Sequence, residues 1–219
     1  MFAQKSQPSS HELKVVYAAM GIDIWEVIEA AKTKPFGFMP FYPGPGLGGH
    51  CIPIDPFYLT WKAKQFGKHT RFIELAGEIN TAMPEYVIAR LVAALNSRGK
   101  TVKGSKVLVI GLAFKPDVDD MRESPAFTLM DMITALGGEV AYYDPHIPVI
   151  GPTRERGQWT GKRSIVWDRS GISEFDAVVI STAHSTIDYG ELAQSADCIV
   201  DTRNAMAAVP TRSGQVWKA

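Results

Sequence analysis

Short apolar segments alternate with helical patterns through the second half of the chain. The clearest is Val107–Ile110, which is apolar throughout and ends at Gly111, as expected of a strand buried on both faces of a sheet. Parallel strands need crossover connections, and helical patterns fill two of the intervals. The alternation therefore predicts an α/β fold with a doubly wound, Rossmann-like parallel sheet. The predicted strands are Val107–Ile110, Val140–Tyr143, Ile165–Trp167, Ala177–Thr182 and Cys198–Asp201, and the predicted helices are Ala126–Leu136 and Tyr189–Ala196.

Polar and aromatic side chains follow several of these strands. Ligands of open parallel sheets bind in the crevice beyond the carboxyl ends of the strands. We therefore expect ligand contacts among the residues at or just past those ends, which are Phe114, Lys115, Asp144, His184 and Arg203. The segment Gly151–Lys162 is predicted to be a surface loop.

The first half of the chain is predicted to be helical, because its apolar residues recur at helical spacing. In the first helix these residues are Leu13, Val16, Tyr17 and Met20. Residues 1–10 are polar and are expected to be poorly ordered. The predicted helices are His11–Met20, a short helix capped by Asp23 and ended by Lys34–Pro35, then Phe57–Phe66 and Phe72–Asn96.

The helix Phe72–Asn96 is long enough to bridge two halves of the molecule and to form a homodimer. A plain core helix is an equally good interpretation of the same apolar ridge. Pro84 is expected to kink it, because proline removes an internal hydrogen bond. The composition changes at Gly99–Ser105, so we predict a helical central region over residues 1–98 and a Rossmann-like domain over residues 99–219.

The segment Phe38–Leu59 is dense in proline and glycine and carries Cys51 directly behind Gly-Gly-His. Glycine permits turns with positive φ and a close approach of the backbone to a ligand. A helix is predicted to begin near Asp55–Pro56, which places the thiol at a helix entrance with a carboxylate four residues later. Such a position can hold an anion and stabilise a thiolate. We interpret this segment as the reactive centre, although a lone cysteine and an aspartate helix cap are also common structural features.

Composition excludes several classes of protein. The formal net charge is zero, which argues against a nucleic-acid partner, and no apolar run reaches the length of a membrane span. The first ten residues lack the apolar core of a signal peptide. Cys198 falls in a predicted strand and is interpreted as a small buried hydrophobic residue. The simplest account is a reduced, cytoplasmic protein, and no spacing of His, Cys and carboxylates predicts a metal site.

Three motifs occur in one order: GPGLGGHCIPIDP, GLAFKPDVDDMRESPA and DTRN. Together they resemble the UDP-glucose/UDP-N-acetylhexosamine (GDP-mannose type) 6-dehydrogenase family, over about His11 to Met206. The phrase KPFGFMPFYPGPGLGGHCIP is most similar to the UDP-N-acetylglucosamine and UDP-N-acetylmannosamine dehydrogenases. The resemblance implies a central region with a dimer-forming helix and a C-terminal Rossmann-like domain that binds UDP. It also implies synthesis of surface-polysaccharide precursors.

The resemblance further implies roles for individual residues. The family oxidises the C6 alcohol of the sugar to a carboxylate, with two NAD accepting hydride in succession. Cys51 matches the nucleophile that forms a thiohemiacetal and then a thioester, and Asp55 matches the residue that orients water. Arg122 matches a residue that contacts NAD. The residues that match substrate-binding positions are Tyr42, Gly44, Gly48, Phe114, Lys115 and Arg203.

The chain departs from the family pattern in two respects. No GxGxxG follows an opening strand, so the NAD-binding domain of the family has no counterpart, and a family lysine and asparagine would fall before Met1. We therefore expect the isolated chain not to turn over. Three interpretations stay open: the C-terminal portion of a dehydrogenase, one subunit of a split dehydrogenase, or a non-catalytic UDP-sugar-binding or dimerisation module. The sequence does not decide which UDP-sugar is bound.

Overall fold

The computed structural model describes residues 2–34, 39–49, 51–153 and 155–219, with side chains from residue 8 onward. Three sequence-based interpretations fall outside these ranges: Pro35 as the end of the second helix, Phe38 as the start of the proline- and glycine-rich segment, and His50 as the neighbour of Cys51. Arg154, within the predicted surface loop, also lies outside them.

Four helices form the first half of the molecule: α1 (Phe2–Ala19), α2 (Ile24–Lys32), α3 (Cys51–Gln65) and α4 (Arg71–Asn96). Asp23 caps α2 as predicted, because its carboxylate accepts the N–H of Trp25 at 3.1 Å. None of the described helices is long and apolar enough to cross a membrane.

The beginnings of α1 and α3 differ from the prediction. Helix α1 begins at Phe2, nine residues before the predicted start at His11, and it packs against α4. Helix α3 begins at Cys51 and not at Asp55–Pro56. The N–H groups in the first turn of a helix have no intrahelical acceptor, so Pro53 is tolerated there without loss of a hydrogen bond. Only Pro56 removes a hydrogen bond from the interior of α3.

The ridge of α1 predicted from Leu13, Val16 and Met20 is exposed, and the opposite, polar face is buried. Met20 is 63% exposed, whereas His11 is 0% exposed. The inward face of α1 is polar because it meets the glycine-rich loop, residues 41–49, through hydrogen bonds: Ser10 donates to the carbonyl of Phe41, and His11 accepts the N–H of Gly44.

A five-stranded parallel sheet forms the second half, in the order β2-β1-β3-β4-β5. The order along the chain is β1 (Lys106–Ile110), α5 (Pro125–Ala135), β2 (Glu139–Tyr143), a 3-10 turn at Gly157–Trp159, α6 (Arg169–Ser173), β3 (Ala177–Ile180), α7 (Tyr189–Ser195), β4 (Ile199–Asp201) and β5 (Val216–Lys218).

The sheet is buried on both faces. Val107 and Val109 of β1 pack with α4 and α5, while Leu108 and Ile110 pack with α6 and α7. Successive side chains of a strand point to opposite faces, so an unbroken apolar run is what a central strand of this kind requires. The predicted α/β class is confirmed.

One predicted strand is wrong and one strand was missed. Residues 165–167 form no ladder: Ile165 donates a single hydrogen bond to the carbonyl of Tyr142 at 2.9 Å, and the Trp167 ring then packs on Tyr143, with ring centroids 4.7 Å apart. The edge strand β5 was missed because it is only three residues long and follows a turn at Gly214.

Helix α4 was interpreted either as a core helix or as a helix that forms a homodimer, and its two halves differ. Its C-terminal half is a core helix, with Val87, Leu91 and Leu95 fully buried against the sheet. Its N-terminal end carries Phe72 and Leu75 on the surface. Because α4 contributes to the core of the sheet, the packing runs across the division predicted at residues 98 and 99, which stays a prediction.

Candidate functional site

The glycine-rich loop, residues 41–49, is held from three elements. The N–H of Gly44 donates to Nε2 of His11 on α1 at 3.2 Å. The N–H of Leu47 donates to Oδ1 of Asn80 on α4 at 2.8 Å. The N–H of Gly49 donates to the carbonyl of Arg122, in the connection between β1 and α5, at 3.0 Å. These donors would otherwise be buried or half-buried without partners, so the three bonds fix the path of the loop.

Two glycines of this loop make contacts that no other residue allows. A Cβ at Gly44 would overlap the guanidinium of Arg203, with the guanidinium carbon 2.7 Å away. A Cβ at Gly48 would lie 2.7 Å from both the Cβ of Phe114 and the carbonyl oxygen of Glu123. The absence of a side chain thus brings Gly44 against Arg203 and Gly48 against Phe114.

Cys51 and Asp55 follow this loop on the first turns of α3. They are four residues apart, so they lie on the same face of the helix, and both are exposed. Arg122 is nearby: hydrogen bonding to Asp120 raises the pKa of Arg122, and the thiolate of Cys51 adds to that effect. The Arg122 guanidinium binds Asp120 through Nε, 3.0 Å from each carboxylate oxygen, and through Nη2 at 2.6 Å.

The connection after β1 presents Phe114 and Lys115 at the carboxyl edge of the sheet. Gly111, at φ 83°, turns the chain there and lies directly against the backbone of Thr182. The N–H of Phe114 donates to the carbonyl of Asp120 at 2.9 Å, which closes the connection into a compact loop. The ammonium of Lys115 is exposed and lies 5.3 Å from the centre of the Phe114 ring.

Asp144 and His184, which were predicted to be ligand contacts at this edge, are buried and hydrogen-bonded to each other at 3.1 Å. The carboxylate of Asp144 also accepts four backbone N–H groups, from Leu112, Ala113, His146 and Ile147. Burial alone would raise the pKa of Asp144, but the bond from His184 and the backbone N–H groups hold it below its usual range. The pair therefore anchors the start of the loop that carries Phe114 and Lys115.

His184 and Asp117 fix the far side of the same loop. Nδ1 of His184 accepts the N–H of Asp117 at 3.0 Å, which leaves the ring proton on Nε2 for Asp144. Asp117 adopts φ 60°, and its carboxylate accepts the N–H of Ser185 at 2.8 Å. A left-handed conformation at an aspartate is held here by hydrogen bonds on both its backbone and its side chain.

Asp117, His146 and His184 also form a group of metal-ligating type, with donor atoms within 4.8 Å of one another. No motif predicted this group, since the three residues come from separate loops of the chain. The lone pair of Nδ1 in His184 already points at the N–H of Asp117, so a metal ion would have to displace that bond. The arrangement favours a loop anchor over a metal centre.

Arg203 lies between the sheet and α1. The Nε of its guanidinium donates to the carbonyl of Ser181 at 2.7 Å, and its backbone N–H donates to the carboxylate of Asp201 at 2.9 Å. Burial lowers the pKa of Arg203 to about 10, with Asp201 opposing the shift. His11 lies next to it, and burial, then the charges of Lys14 and Arg203, lower the pKa of His11 to about 3.

The side chain of Tyr42 points away from the contacts that the glycine-rich loop makes with Phe114, Arg122 and Arg203. Its ring stacks on Trp25 of α2, with centroids 5.4 Å apart, and its hydroxyl donates to Glu29 at 2.9 Å. The structure thus brings the glycine-rich loop to Phe114, Arg122 and Arg203, while Lys115 and Tyr42 border that surface. Sequence reasoning missed His11 and Asn80, which hold the loop. No sequence signal singled them out, because both helices carry many other polar residues.

Comparison with known proteins gives two matching family models. The central domain of the UDP-glucose/GDP-mannose dehydrogenase family matches residues 8–82, and the UDP binding domain of the same family matches residues 108–208. A UDP-N-acetyl-D-glucosamine 6-dehydrogenase of Pseudomonas aeruginosa is 35% identical over 175 residues, which are 80% of this chain and 40% of that protein. A UDP-N-acetyl-D-mannosamine dehydrogenase of Escherichia coli K12 is 37% identical over 143 residues, covering 63% and 33%.

Solved structures agree with these matches. The UDP-D-ManNAc dehydrogenase of Pyrococcus horikoshii superposes with a TM-score of 0.82 at 27% identity, over 98% of this chain and 48% of that one. The NDP-N-acetyl-D-galactosaminuronic acid dehydrogenase of Methanosarcina mazei gives a TM-score of 0.78 at 26% identity, over 93% and 45%. The chain thus spans less than half the length of each of these proteins.

Proposed function

Because the chain belongs to the UDP-glucose/GDP-mannose dehydrogenase family, we propose that it supplies the substrate site and the reactive thiol of an NAD-dependent nucleotide-sugar dehydrogenase. The substrate we assign is a UDP-N-acetylhexosamine, whose C6 alcohol is oxidised to the carboxylate. The observation that carries the proposal is the contact of Gly44 with Arg203 and of Gly48 with Phe114, which joins the thiol-bearing loop to the edge of the sheet.

The substrate would lie across that junction. Lys115 is exposed beside Phe114 and is placed to neutralise a diphosphate, and Phe114 offers an apolar face. Arg203 is held by Ser181 and Asp201 in an orientation toward Gly44, so its guanidinium is already ordered before a ligand arrives. Ordering in advance reduces the entropy lost on binding. Gly44, Gly48 and Tyr42 would line the sugar side of the site.

The thiol chemistry requires Cys51 and Asp55. Addition of Sγ to the C6 aldehyde gives a thiohemiacetal, whose oxidation leaves a thioester on Cys51, and water then releases the carboxylate. Asp55 lies one helical turn from Cys51 on the same exposed face, where it is placed to orient that water. Arg122, close to Cys51, is placed to favour negative charge on the sulfur or on the adduct oxygen.

NAD would supply the hydride acceptor. Among the described residues Arg122 is the candidate contact for it, and that guanidinium is exposed and already binds Asp120. One exposed arginine does not make a dinucleotide site, so no step is assigned to NAD on these residues. The same reasoning leads us to expect no turnover by this chain alone, which formation of NADH with a UDP-sugar would contradict.

A second copy of the chain is the partner we propose. Apolar side chains stand exposed on α3 and on the N-terminal end of α4, with Trp61 62% and Phe72 75% exposed. The two helices are packed together, since the Phe57 ring lies directly on Gly77 of α4. An exposed apolar surface of this kind is typical of an interface, and α4 is the helix to which the resemblance assigns dimer formation.

The binding test is calorimetric titration of the folded chain with UDP, UDP-N-acetylglucosamine and NAD. We expect micromolar binding of UDP and its sugar, weakened at least tenfold by Lys115→Ala and unchanged by Lys68→Ala, a control at another exposed lysine. Circular dichroism establishes that each variant is folded. Binding of NAD in preference to UDP, or equal affinity in the Lys115→Ala variant, would contradict the assignment of the substrate site.

A further inference from the structure

A cavity of about 270 Å³ lies where α1, α2, α4 and β5 meet. It is lined by none of the residues assigned above to substrate, thiol chemistry or NAD. Cations reach it from three different elements, namely Lys14 of α1, Arg90 of α4 and Lys218 of β5. Asp23 is the one carboxylate among its lining residues. The charge around the cavity is therefore positive in excess.

Lys14 is the unusual member of this group. It is 4% exposed, and its Nζ has no hydrogen-bond partner among the described residues. The Tyr86 ring, whose centre is 6.0 Å away, lies at the limit of a cation–π contact, and Asp201 acts on Lys14 only through its charge. Burying an ammonium group without a partner is energetically unfavourable. In this chain such a buried ammonium group lines a cavity.

The other charges at the cavity already have partners. Lys218 forms an ion pair with Asp23, whose carboxylate also accepts the N–H of Trp25. Arg90 donates from Nε to the carbonyl of Lys218 at 3.1 Å and lies over the Trp217 ring at 5.1 Å. Asp23 is therefore engaged elsewhere, and no carboxylate among the described residues is hydrogen-bonded to Lys14.

We propose that this cavity binds a phosphoryl group, with Nζ of Lys14 as the buried donor and Arg90 as the second cation. A tetrahedral dianion matches cations that converge from several sides, and Lys and Arg are the usual phosphate ligands in proteins. The group comes either from inorganic phosphate or from a small phosphomonoester, for which Trp25 and Tyr86 provide aromatic walls. The site goes beyond the proposed dehydrogenase function and does not depend on it.

The electrostatics of Lys14 add a measurable signature. Burial and then the charge of Arg203 lower the pKa of Lys14 to about 7, with Asp201 opposing and Arg90 adding to the shift. Near neutral pH the site therefore holds a mixture of ammonium and amine, and an anion that selects the ammonium must take up a proton. The charged and titratable groups that face Lys14 or its cavity are His11, Tyr86, Arg90, Asp201, Arg203, Asp23 and Lys218.

The test uses sulfate and inorganic phosphate as probes, titrated into the whole chain by calorimetry. Sulfate does not titrate near neutral pH, so in buffers of different ionisation enthalpy its binding reports proton uptake by the protein alone. We expect saturable binding with uptake of a fraction of a proton at pH 7.5. Lys14→Met should lower the affinity at least tenfold and abolish the uptake, while Lys68→Met changes neither.

Two further arms complete the experiment. Lys115→Ala removes a proposed diphosphate contact of the substrate site, so sulfate binding that survives this change belongs to the Lys14 cavity. Titration with phenyl phosphate, a phosphomonoester without the uridine of the proposed substrate, distinguishes a phosphomonoester from free phosphate as the occupant. Lys14→Met replaces a buried cation that has no hydrogen-bond partner by an apolar group of similar length, so the variant is expected to fold. Lys14→Gln serves as the second variant. Absence of sulfate and phosphate binding, or equal binding in both Lys14 variants, overturns the proposal.

Discussion

His11 and Lys14 occupy successive turns on the buried face of α1, and the pKa of each base lies well below its ordinary value. Burial is the main cause at each position, and each cation in the neighbourhood lowers the pKa of the next. In the unfolded chain both groups regain their ordinary pKa values and bind more protons than in the folded state. Stability therefore increases with pH across the interval between the two values.

For Lys14 this interval runs from about 7 in the folded state to 10.5 in the unfolded state. The contribution is complete above the upper value and is lost as the pH falls toward the lower one. At ~1.4 kcal/mol per pKa unit it amounts to at most about 5 kcal/mol. In urea unfolding, the free energy of unfolding of the wild-type chain should increase relative to that of the Lys14→Met variant between pH 7 and pH 10. The Lys68→Met control should show the same pH dependence as the wild type. Parallel pH profiles for all three proteins would show that Lys14 is charged in the folded state.

At the scale of elements, the glycine-rich loop depends on helices that are distant from it in sequence. Asn80 lies in the middle of α4, and Pro84 one turn later leaves the carbonyl of Asn80 without its helical donor. Gly46 packs near that carbonyl, at a φ of 133°, while the side chain of Asn80 accepts the N–H of Leu47. An interruption in one helix is thus the place where the loop is attached.

Asn80→Leu keeps the size of the side chain and removes this acceptor. We expect a loss of about 1 kcal/mol in the free energy of unfolding, because the N–H of Leu47 loses its partner. Faster hydrogen exchange at Leu47 and several-fold weaker UDP binding should accompany it. Thr81→Val, at the neighbouring exposed position, is the matched control. Unchanged exchange at Leu47 in Asn80→Leu would show that the loop is held by its other two bonds.

Particular elements show how far sequence reasoning reaches. The central strand β1 was predictable, because burial on both faces demands an unbroken apolar run. The positions of Asp144 and His184 at one edge of the sheet were predictable too, but their bond to each other was not, because it depends on loop conformation. The edge strand β5 was missed, because its three residues carry no periodicity and follow no helical pattern. The buried face of α1 was misassigned, since it is polar and meets the glycine-rich loop through hydrogen bonds, which leaves no apolar pattern to detect.

For the whole molecule, the distribution of apolar surface is uneven. The sheet and its flanking helices bury their apolar residues, whereas α3 and the beginning of α4 expose theirs. Burial of apolar surface contributes ~25 cal/mol per Å², so covering several aromatic side chains stabilises an assembly substantially. We therefore expect the monomer, with this surface uncovered, to be the less favourable state at working concentrations.

We expect light scattering to show a dimer of the wild-type chain at tens of micromolar and a monomer of the Trp61→Glu variant. The far-ultraviolet circular dichroism spectrum of the variant should be unchanged. Val166→Glu is the control, because Val166 is similarly exposed at 77% but lies in the loop that follows β2. A monomeric wild-type chain, or a dimer that tolerates the charge at residue 61, would assign the apolar surface to a different partner.

Helix α4 is about 39 Å long; fully buried residues join its C-terminal half to the sheet, and its N-terminal half packs against α1 and α3. Its N-terminal end carries the surface that we assign to a second copy, and Asn80, which holds the glycine-rich loop, lies between that surface and the sheet. One continuous helix therefore connects the proposed interface, the attachment point of the thiol-bearing loop and the core of the sheet. We expect association of two copies to be felt at the loop through this helix.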